Sequence, residues 1–447
     1  MPRFPPATTV NIAMELFDGP LQQLRQLVAQ TDSAGFVLLR PRVSAFLQNA
    51  DSIDVLVFVI LALLCIVGVL GAGRVNDAEN NPGPEFVFQP NKENKAVVSC
   101  IKDRVGDYVP PNWWYNAHIG SMVPLGCDLP IKYDRQVLEQ ESTMDWYPRR
   151  PPLTTSVSQE LRVVLVFPGL GLSSSSKSIK KFVHTLVGDD EDVYTAVVLT
   201  RGVGTELRPG AKLWHPAMTD DGEQVIRHIN QSHGPRAKLF LCGFSAGTNI
   251  VKTLLCAPER TSFPVQGAMC IACNNTDYRI ARDILERSVI GNIYSRLMCG
   301  IYRDIALSSS TVREALGEER LSTLRSLSLL SEYDEFSLQH LHGHVFASRE
   351  DYYAALSGGG SFRCDVPLLQ IQPADDPLHQ GRVKEHLKPE ELTAKCTRTV
   401  YMQTKFGNHF GFYEEGIFKA FSSKKTYTYP ARVARVFFDA IDRESSK

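Results

Sequence analysis

A chain of 447 residues, 43% of them apolar, is long enough to bury a large core, and one α/β domain of about 300 residues plus extra segments fits it. Lysine and arginine number 48 against 49 aspartate and glutamate, a balance that points away from a polyanion partner and sets nucleic-acid binding aside. The ten cysteines show no paired metal-ligand spacing, and the one CxxC, Cys270-Ile-Ala-Cys273, ends an apolar run from Val265 and reads as two buried strand cysteines.

Residues 1–54 read as an accessory segment. Residues 55–73 then run without a charge between Asp54 and Arg74. At about 1.5 Å rise per residue such a helix just crosses a hydrocarbon core of about 30 Å. It lacks the polar stripe of a core helix, and its acidic front and late start disfavour a cleaved signal peptide. The expectation is one transmembrane helix. Arg40 and Arg42 outweigh Arg74 near the span, which favours a cytoplasmic N-terminus. That is a single-pass, type II arrangement in the endoplasmic reticulum or another endomembrane, with the rest of the chain on the lumenal or exoplasmic face. Two glycan acceptor patterns follow the span, Asn230-Gln-Ser232 and Asn274-Asn-Thr276. Residues 74–106 read as a linker, with the turn-rich Glu79-Asn-Asn-Pro-Gly-Pro84 inside it.

The remaining residues, 107–447, read as one domain. Leu161 to Phe167 is a near-continuous apolar run, the pattern of a strand buried on both faces of a parallel sheet. A glycine turn follows, Pro168-Gly169-Leu170-Gly171. Val193 to Leu199 is the next strand, and Thr219-Asp220-Asp221 opens a helix with Val225, Ile226 and Ile229 as its buried stripe. Ala237 to Cys242 then runs into Gly243-Phe244-Ser245-Ala246-Gly247 and a helical run after it. A serine on such a strand–turn–helix connection sits on strained backbone with its hydroxyl clear of the sheet edge, and the flanking glycines leave room where strand and helix approach. Val265 to Ala272 is another strand. Residues 274–361 change character to arginine-rich amphipathic helices and read as a lid insert, ended by Ser357-Gly-Gly-Gly-Ser361. The sheet resumes with Pro367 to Gln372, followed by Asp375-Asp376-Pro377. Thr397 to Gln403 is the last strand, ending in Gly407-Asn408-His409-Phe410-Gly411, and Val433 to Ile441 is a closing helix.

The order Ser, Asp, His on successive strand ends is that of the α/β-hydrolase fold: a mostly parallel central sheet, helices on both faces and a helical lid insert, here preceded by the transmembrane helix. In this reading Ser245 is the nucleophile, His409 the general base and Asp376 the acid that orients the imidazole. Asp376 is preferred to Asp375 because it directly precedes the proline turn. His409 is preferred to His215, His379 and His386 because glycines flank it. The backbone N–H groups of Leu170 and Ala246 are the candidate oxyanion hole.

With these residues placed, the sequence resembles the membrane-anchored α/β-hydrolase-domain lipases, the group of embryogenesis-associated hydrolases and medium-chain fatty acid ethyl ester synthase/esterases. The likeness runs from about residue 112 to residue 440. It includes Trp113-Trp-Tyr-Asn-Ala-His118, Met144-Asp145-Trp146, the glycine turn, Arg201-Gly202 and His215 with Thr219-Asp220-Asp221. It continues with Gly243 to Asn249, Tyr333-Asp334-Glu335-Phe336, Asp351-Tyr352-Tyr353, Asp375-Asp376-Pro377 and Gly407 to Phe412. The family's Asp-Gly-Gly before its Leu-Asp-Trp block is missing, and Leu172 stands where a second glycine is usual, which bears on the oxyanion loop and the acyl pocket. The resemblance implies medium-chain acyl esters or phospholipids as substrates, drawn from a bilayer, with no metal and no organic cofactor. Two other readings use the same residues: an acyltransferase that passes the acyl group to an alcohol, and a non-catalytic scaffold.

Overall fold

The computed structural model describes residues 83–447 apart from 111–116, 118–128, 139–141, 154–159, 208–211, 257–263, 274–276, 343–344, 358–361, 410, 413, 415–428 and 446–447. The chain divides into two units, Met1–Gly71 and Ala72–Lys447. The first, and with it the apolar stretch 55–73, lies outside the described residues. Among the described residues no helix is long and apolar enough to cross a membrane.

Nine strands form one sheet: β1 (Glu85–Phe88), β2 (Asp134–Val137), β3 (Thr143–Tyr147), β4 (Leu161–Phe167), β5 (Val193–Leu199), β6 (Ala237–Phe244), β7 (Val265–Ile271), β8 (Leu368–Pro373) and β9 (Thr399–Thr404). Their order is β1-β9-β8-β7-β6-β4-β5-β3-β2. The six strands from β5 to β9 through β4 are parallel, and β1, β2 and β3 add antiparallel edges. Side chains alternate across each strand, so both faces bury apolar residues. Val163, Leu165 and Phe167 join one core with Val225, Ile226 and Val251, while Val164 and Val166 join another with Phe182, Phe437 and Phe438.

The helices are α1 (Lys92–Arg104), α2 (Lys177–Val187), α3 (Asp220–His233), α4 (Ala246–Cys256), α5 (Tyr278–Arg287), α6 (Val289–Ser308), α7 (Ser310–Ser326), α8 (Leu330–His340), α9 (Arg349–Leu356), α10 (Val383–Leu387), α11 (Pro389–Lys395) and α12 (Tyr429–Ser445). Helices α1, α2 and α12 cover one face of the sheet; α3, α4 and part of the insert cover the other. Residues 85–104, expected within the linker, instead belong to the sheet domain. Phe86 and Val87 pair with Met402 and Tyr401, and the α1 residues Val97, Val98 and Ile101 are buried in the core shared with α12. The Asn91 side chain caps α1 by accepting from the Asn94 amide.

Helices α5 to α9 make up the insert between β7 and β8, without a strand among their described residues. Asp277, Ser288, Ser309 and Ser348 cap α5, α6, α7 and α9, each accepting from amides in the first turn. The insert has a polar centre. Arg282 Nε donates to Asp334 Oδ2 at 2.8 Å, and the Tyr353 hydroxyl donates to the same oxygen at 2.9 Å. Asn249 of α4 donates to the Tyr278 hydroxyl, tying the insert to the helix behind Ser245.

Candidate active site

The parallel register brings the C-terminal ends of β4, β6, β7, β8 and β9 to one edge of the sheet, where ligands of open α/β sheets bind. Ser245 follows β6 directly, with φ +48°. A left-handed non-glycine residue is held only by its surroundings. Here its amide donates to Ile271 O at 3.0 Å, and Thr248 Oγ1 donates to its carbonyl at 2.6 Å. The flanking glycines are sterically required. A Cβ on Gly243 would lie 2.6 Å from Gly247 O, and one on Gly247 would lie 2.1 Å from Phe167 O.

Three side chains chosen from the sequence meet at this edge. Ser245 Oγ lies 2.6 Å from His409 Nε2, and His409 Nδ1 lies 2.8 Å from Asp376 Oδ2. Asp376 is fully buried, and it also accepts from Leu378 N at 3.0 Å and Gln372 Nε2 at 2.9 Å. Burial pushes its carboxyl up, but the charge and hydrogen bond of His409 outweigh that and hold it below the usual carboxylate range. An ionised carboxylate only accepts, so His409 Nδ1 carries the proton and Nε2 presents its lone pair to the serine hydroxyl. This arrangement can draw the proton from Ser245 as its oxygen attacks a carbonyl.

No protein-family model matches the chain. It is similar to a Danio rerio protein named monoacylglycerol lipase ABHD2, with 24% identity over 350 residues that cover 75% of this chain and 78% of the relative. It is also similar to the Drosophila melanogaster abhydrolase domain-containing protein 2, with 22% identity over 327 residues, 69% of this chain and 79% of the relative. Among solved structures, a brefeldin A esterase described as a bacterial homologue of human hormone sensitive lipase aligns over 85% of this chain and 94% of its own, at 13% identity and a TM-score of 0.40. The likeness to these relatives supports an α/β-hydrolase lipase family for the chain. The chain is a carboxylic ester hydrolase.

The other residues of this hydrolase that the sequence singled out fall into two groups. Leu170 and Ala246 line a cavity of about 60 Å³ with Ser245, and Met298, Tyr302 and Leu330 of the insert wall it. The glycine loop presses on the serine: a Cβ on Gly169 would lie 3.1 Å from Ser245 Cβ. Gly171, at φ +69°, leaves room for Ile301 of α6, whose Cγ2 would be 2.9 Å from a Cβ there. The second group is structural. Arg201 grips Asp221 through Nε and Nη2 at 2.8 to 3.0 Å, and Ser142 donates to the same carboxylate. Asp145 accepts from Arg135 at 2.8 and 2.9 Å and from Ser174 at 2.5 Å. These clamps fasten β3 and the loops after β4 and β5. Asp334 and Tyr353 hold the insert together around Arg282.

Of the competing histidines, His379 lines the same cavity as Ser245, with Nε2 3.9 Å from Asp376 Oδ2, but it is His409 that contacts Ser245 Oγ. The His215 and His342 rings lie 4.6 Å apart, tilted by 57°, and burial pushes the two down to about 4 and about 3. His379 Nε2 donates to Cys273 O at 3.0 Å, and its Nδ1 lies 3.3 Å from His386 Nδ1. Cys270 and Cys273 are buried and free. Among the described residues no group of three or more His, Cys, Asp or Glu side chains could hold a metal ion. Asn230 is exposed near the end of α3; Asn274 and most of the 113–118 block lie outside the described residues. Two features escaped the sequence reading: the pairing of Arg282 with the Asp334 and Tyr353 that the motifs singled out, and a bond from Asp375 to the turn that carries His409. Neither leaves a local pattern, because the partners are far apart in the chain.

Proposed function

We propose that this hydrolase is a membrane-anchored serine esterase that cleaves carboxylic esters of lipids through Ser245, His409 and Asp376. The observation that carries the reading is the continuous Ser245–His409–Asp376 contact at a strained strand–helix turn. Ser245 Oγ attacks the ester carbonyl while His409 takes its proton, and Asp376 stabilises the imidazolium that forms. The oxyanion meets the amides of Leu170 and Ala246, each such donor being worth about 3 kcal/mol. Collapse breaks the bond to the alcohol, which leaves with the proton from His409. Water then attacks the acyl-enzyme with His409 again as base, the acyl–Ser245 bond breaks to release the carboxylic acid, and His409 returns the proton to Ser245 Oγ.

The names of the Danio rerio relatives support monoacylglycerols as a substrate class, and the motif resemblance supports medium-chain acyl esters and phospholipids. The charge-free stretch 55–73 supports a single-pass anchor, and Arg40 and Arg42 support a type II orientation in an endomembrane. Purified full-length protein should release fatty acid from a monoacylglycerol in phosphatidylcholine vesicles, and Ser245→Ala should lower that rate by about 10⁶-fold. Equal rates from the two proteins remove the assignment. In sealed microsomes the domain beyond Arg74 should resist added protease; its digestion in intact vesicles reverses the orientation.

A further inference from the structure

Asp375 sits next to the carboxylate that contacts His409, and its own bond goes to the neighbouring turn. Its Oδ1 accepts from the Asn408 amide at 2.9 Å, and Asn408 immediately precedes His409. That turn is left-handed, with φ +148° at Gly407 and +56° at Asn408. A Cβ on Gly407 would lie 2.8 Å from both Phe412 Cε1 and Pro373 Cγ. Gly411 and Phe412 close the loop on itself by donating to Gly407 O at 2.8 and 3.2 Å. Backbone of this kind persists only where its surroundings over-determine it. The Asp375–Asn408 bond joins the turn carrying the histidine to the turn carrying its acid.

We infer that Asp375 is a positioning residue: by holding the Asn408 amide, its carboxylate sets His409 between Asp376 and Ser245. The inference rests on the serine-hydrolase reading above and adds a residue to it. The ionisation of Asp375 enters the same geometry. Burial pushes its carboxyl up to about 7; the Asn408 bond opposes the rise and the neighbouring Asp376 adds to it. Among the described residues Asp376 is the charged group beside it, with His409 and His379 against Asp376 in turn. Ser288, Val289, Ile290 and Gln380, which share a cavity of about 460 Å³ with both aspartates, bring no charge. A bond to a charged acceptor is roughly twice as strong as a neutral one. As pH falls through about 7 the Asn408 anchor therefore weakens.

The test is the pH dependence of kcat/KM for a soluble p-nitrophenyl ester, measured on the full-length chain between about pH 5 and 9. Wild type should fall on the acid side more steeply than a single ionisation allows. Asp375→Asn keeps a carbonyl acceptor and cannot ionise. It should be about tenfold slower than wild type at pH 9 and fall less steeply on the acid side. Asp375→Ala loses the acceptor and should lower kcat by about 30-fold with KM within about twofold, the signature of a misplaced catalytic group. An Asp375→Asn profile that superimposes on wild type overturns the role of Asp375, and so does an Asp375→Ala enzyme with the wild-type kcat. A wild type that neither turns over the ester nor reacts with a fluorophosphonate removes the serine-hydrolase reading, and this inference with it.

Discussion

The turns at the strand ends and the helical insert border the same cavity, but they are held in different ways. At the strand ends the backbone carries the constraint. Ser245, Gly407 and Asn408 occupy left-handed conformations imposed by the sheet and by glycines that no larger residue replaces. In the insert the side chains carry it. Arg282 and Asp334 pair with side chains 12% and 3% exposed, and Tyr302 stacks on Tyr333 at 5.0 Å and on Trp214 at 6.3 Å. The insert also leaves large apolar side chains exposed, with Val289 82% exposed and Ile280, Ile290, Leu297 and Ile301 between 40% and 47%. Reaction geometry therefore depends on backbone that tolerates few changes, whereas the space offered to substrate depends on packing that single substitutions can alter. Changes at strand ends should lower rate in an intact protein. Changes in the insert should lower stability or shift substrate preference while the chemistry survives.

The sharpest break between the regions is expected at Asp376. Asp376→Asn should leave the melting transition near that of wild type and cost about 10⁴ in kcat by favouring the wrong imidazole tautomer. A loss of stability in place of rate would put the strand-end turn in the same class as the insert. The converse holds for Asp334→Ala, which leaves the Arg282 guanidinium buried and unpaired. Denaturant unfolding should show a loss of about 3 to 5 kcal/mol, with kcat of the folded fraction close to wild type. A stable Asp334→Ala protein with a collapsed kcat would mean that Arg282 acts on the chemistry.

Two smaller effects sharpen the contrast. Leu285 and Met298 line the cavity beside Ser245 without touching the triad's hydrogen bonds. Leu285→Ala or Met298→Ala should shift preference towards longer acyl chains by about 1 to 3 kcal/mol in relative kcat/KM. An unchanged chain-length profile would place the acyl group elsewhere. The smallest effect concerns Asp375, whose carboxyl stands at about 7 when folded against an ordinary value near 3.8. The fold favours its protonated form. That advantage is complete below the ordinary carboxylate range and is lost as pH rises through about 7. Asp375→Asn mimics the protonated form, so it should melt above wild type at pH 8 and level with it near pH 4. Parallel melting curves at both pH values would contradict the raised carboxyl.

The same contrast explains what could be read before the structure. Strands buried on both faces leave unbroken apolar runs such as Leu161 to Phe167, and a turn that forbids side chains leaves glycines at fixed offsets, as at Gly243 and Gly247. The order of Ser245, Asp376 and His409 along the chain follows from that sheet. Distance in the chain hides the rest. Arg282 meets Asp334 52 positions on, and Asp375 meets Asn408 33 positions on, with no spacing rule to connect them. Residues 85–104 were expected as linker because a strand of four residues carries too little alternation to stand out. Glu85–Phe88 becomes a strand by pairing with β9, more than 300 residues later.

The most direct measurement of the central claim is intact-mass spectrometry after reaction with a fluorophosphonate, which forms a covalent adduct only with an activated serine. Wild type should gain the mass of one adduct, located by peptide mapping at Ser245. His409→Ala should react at a rate lower by several orders of magnitude, because its serine has lost the base that activates it. Ser245→Ala should gain nothing. An adduct on Ser245→Ala at the wild-type rate, or a wild type that stays unmodified while correctly folded, would contradict the assignment of Ser245, His409 and Asp376 as the working centre of this hydrolase.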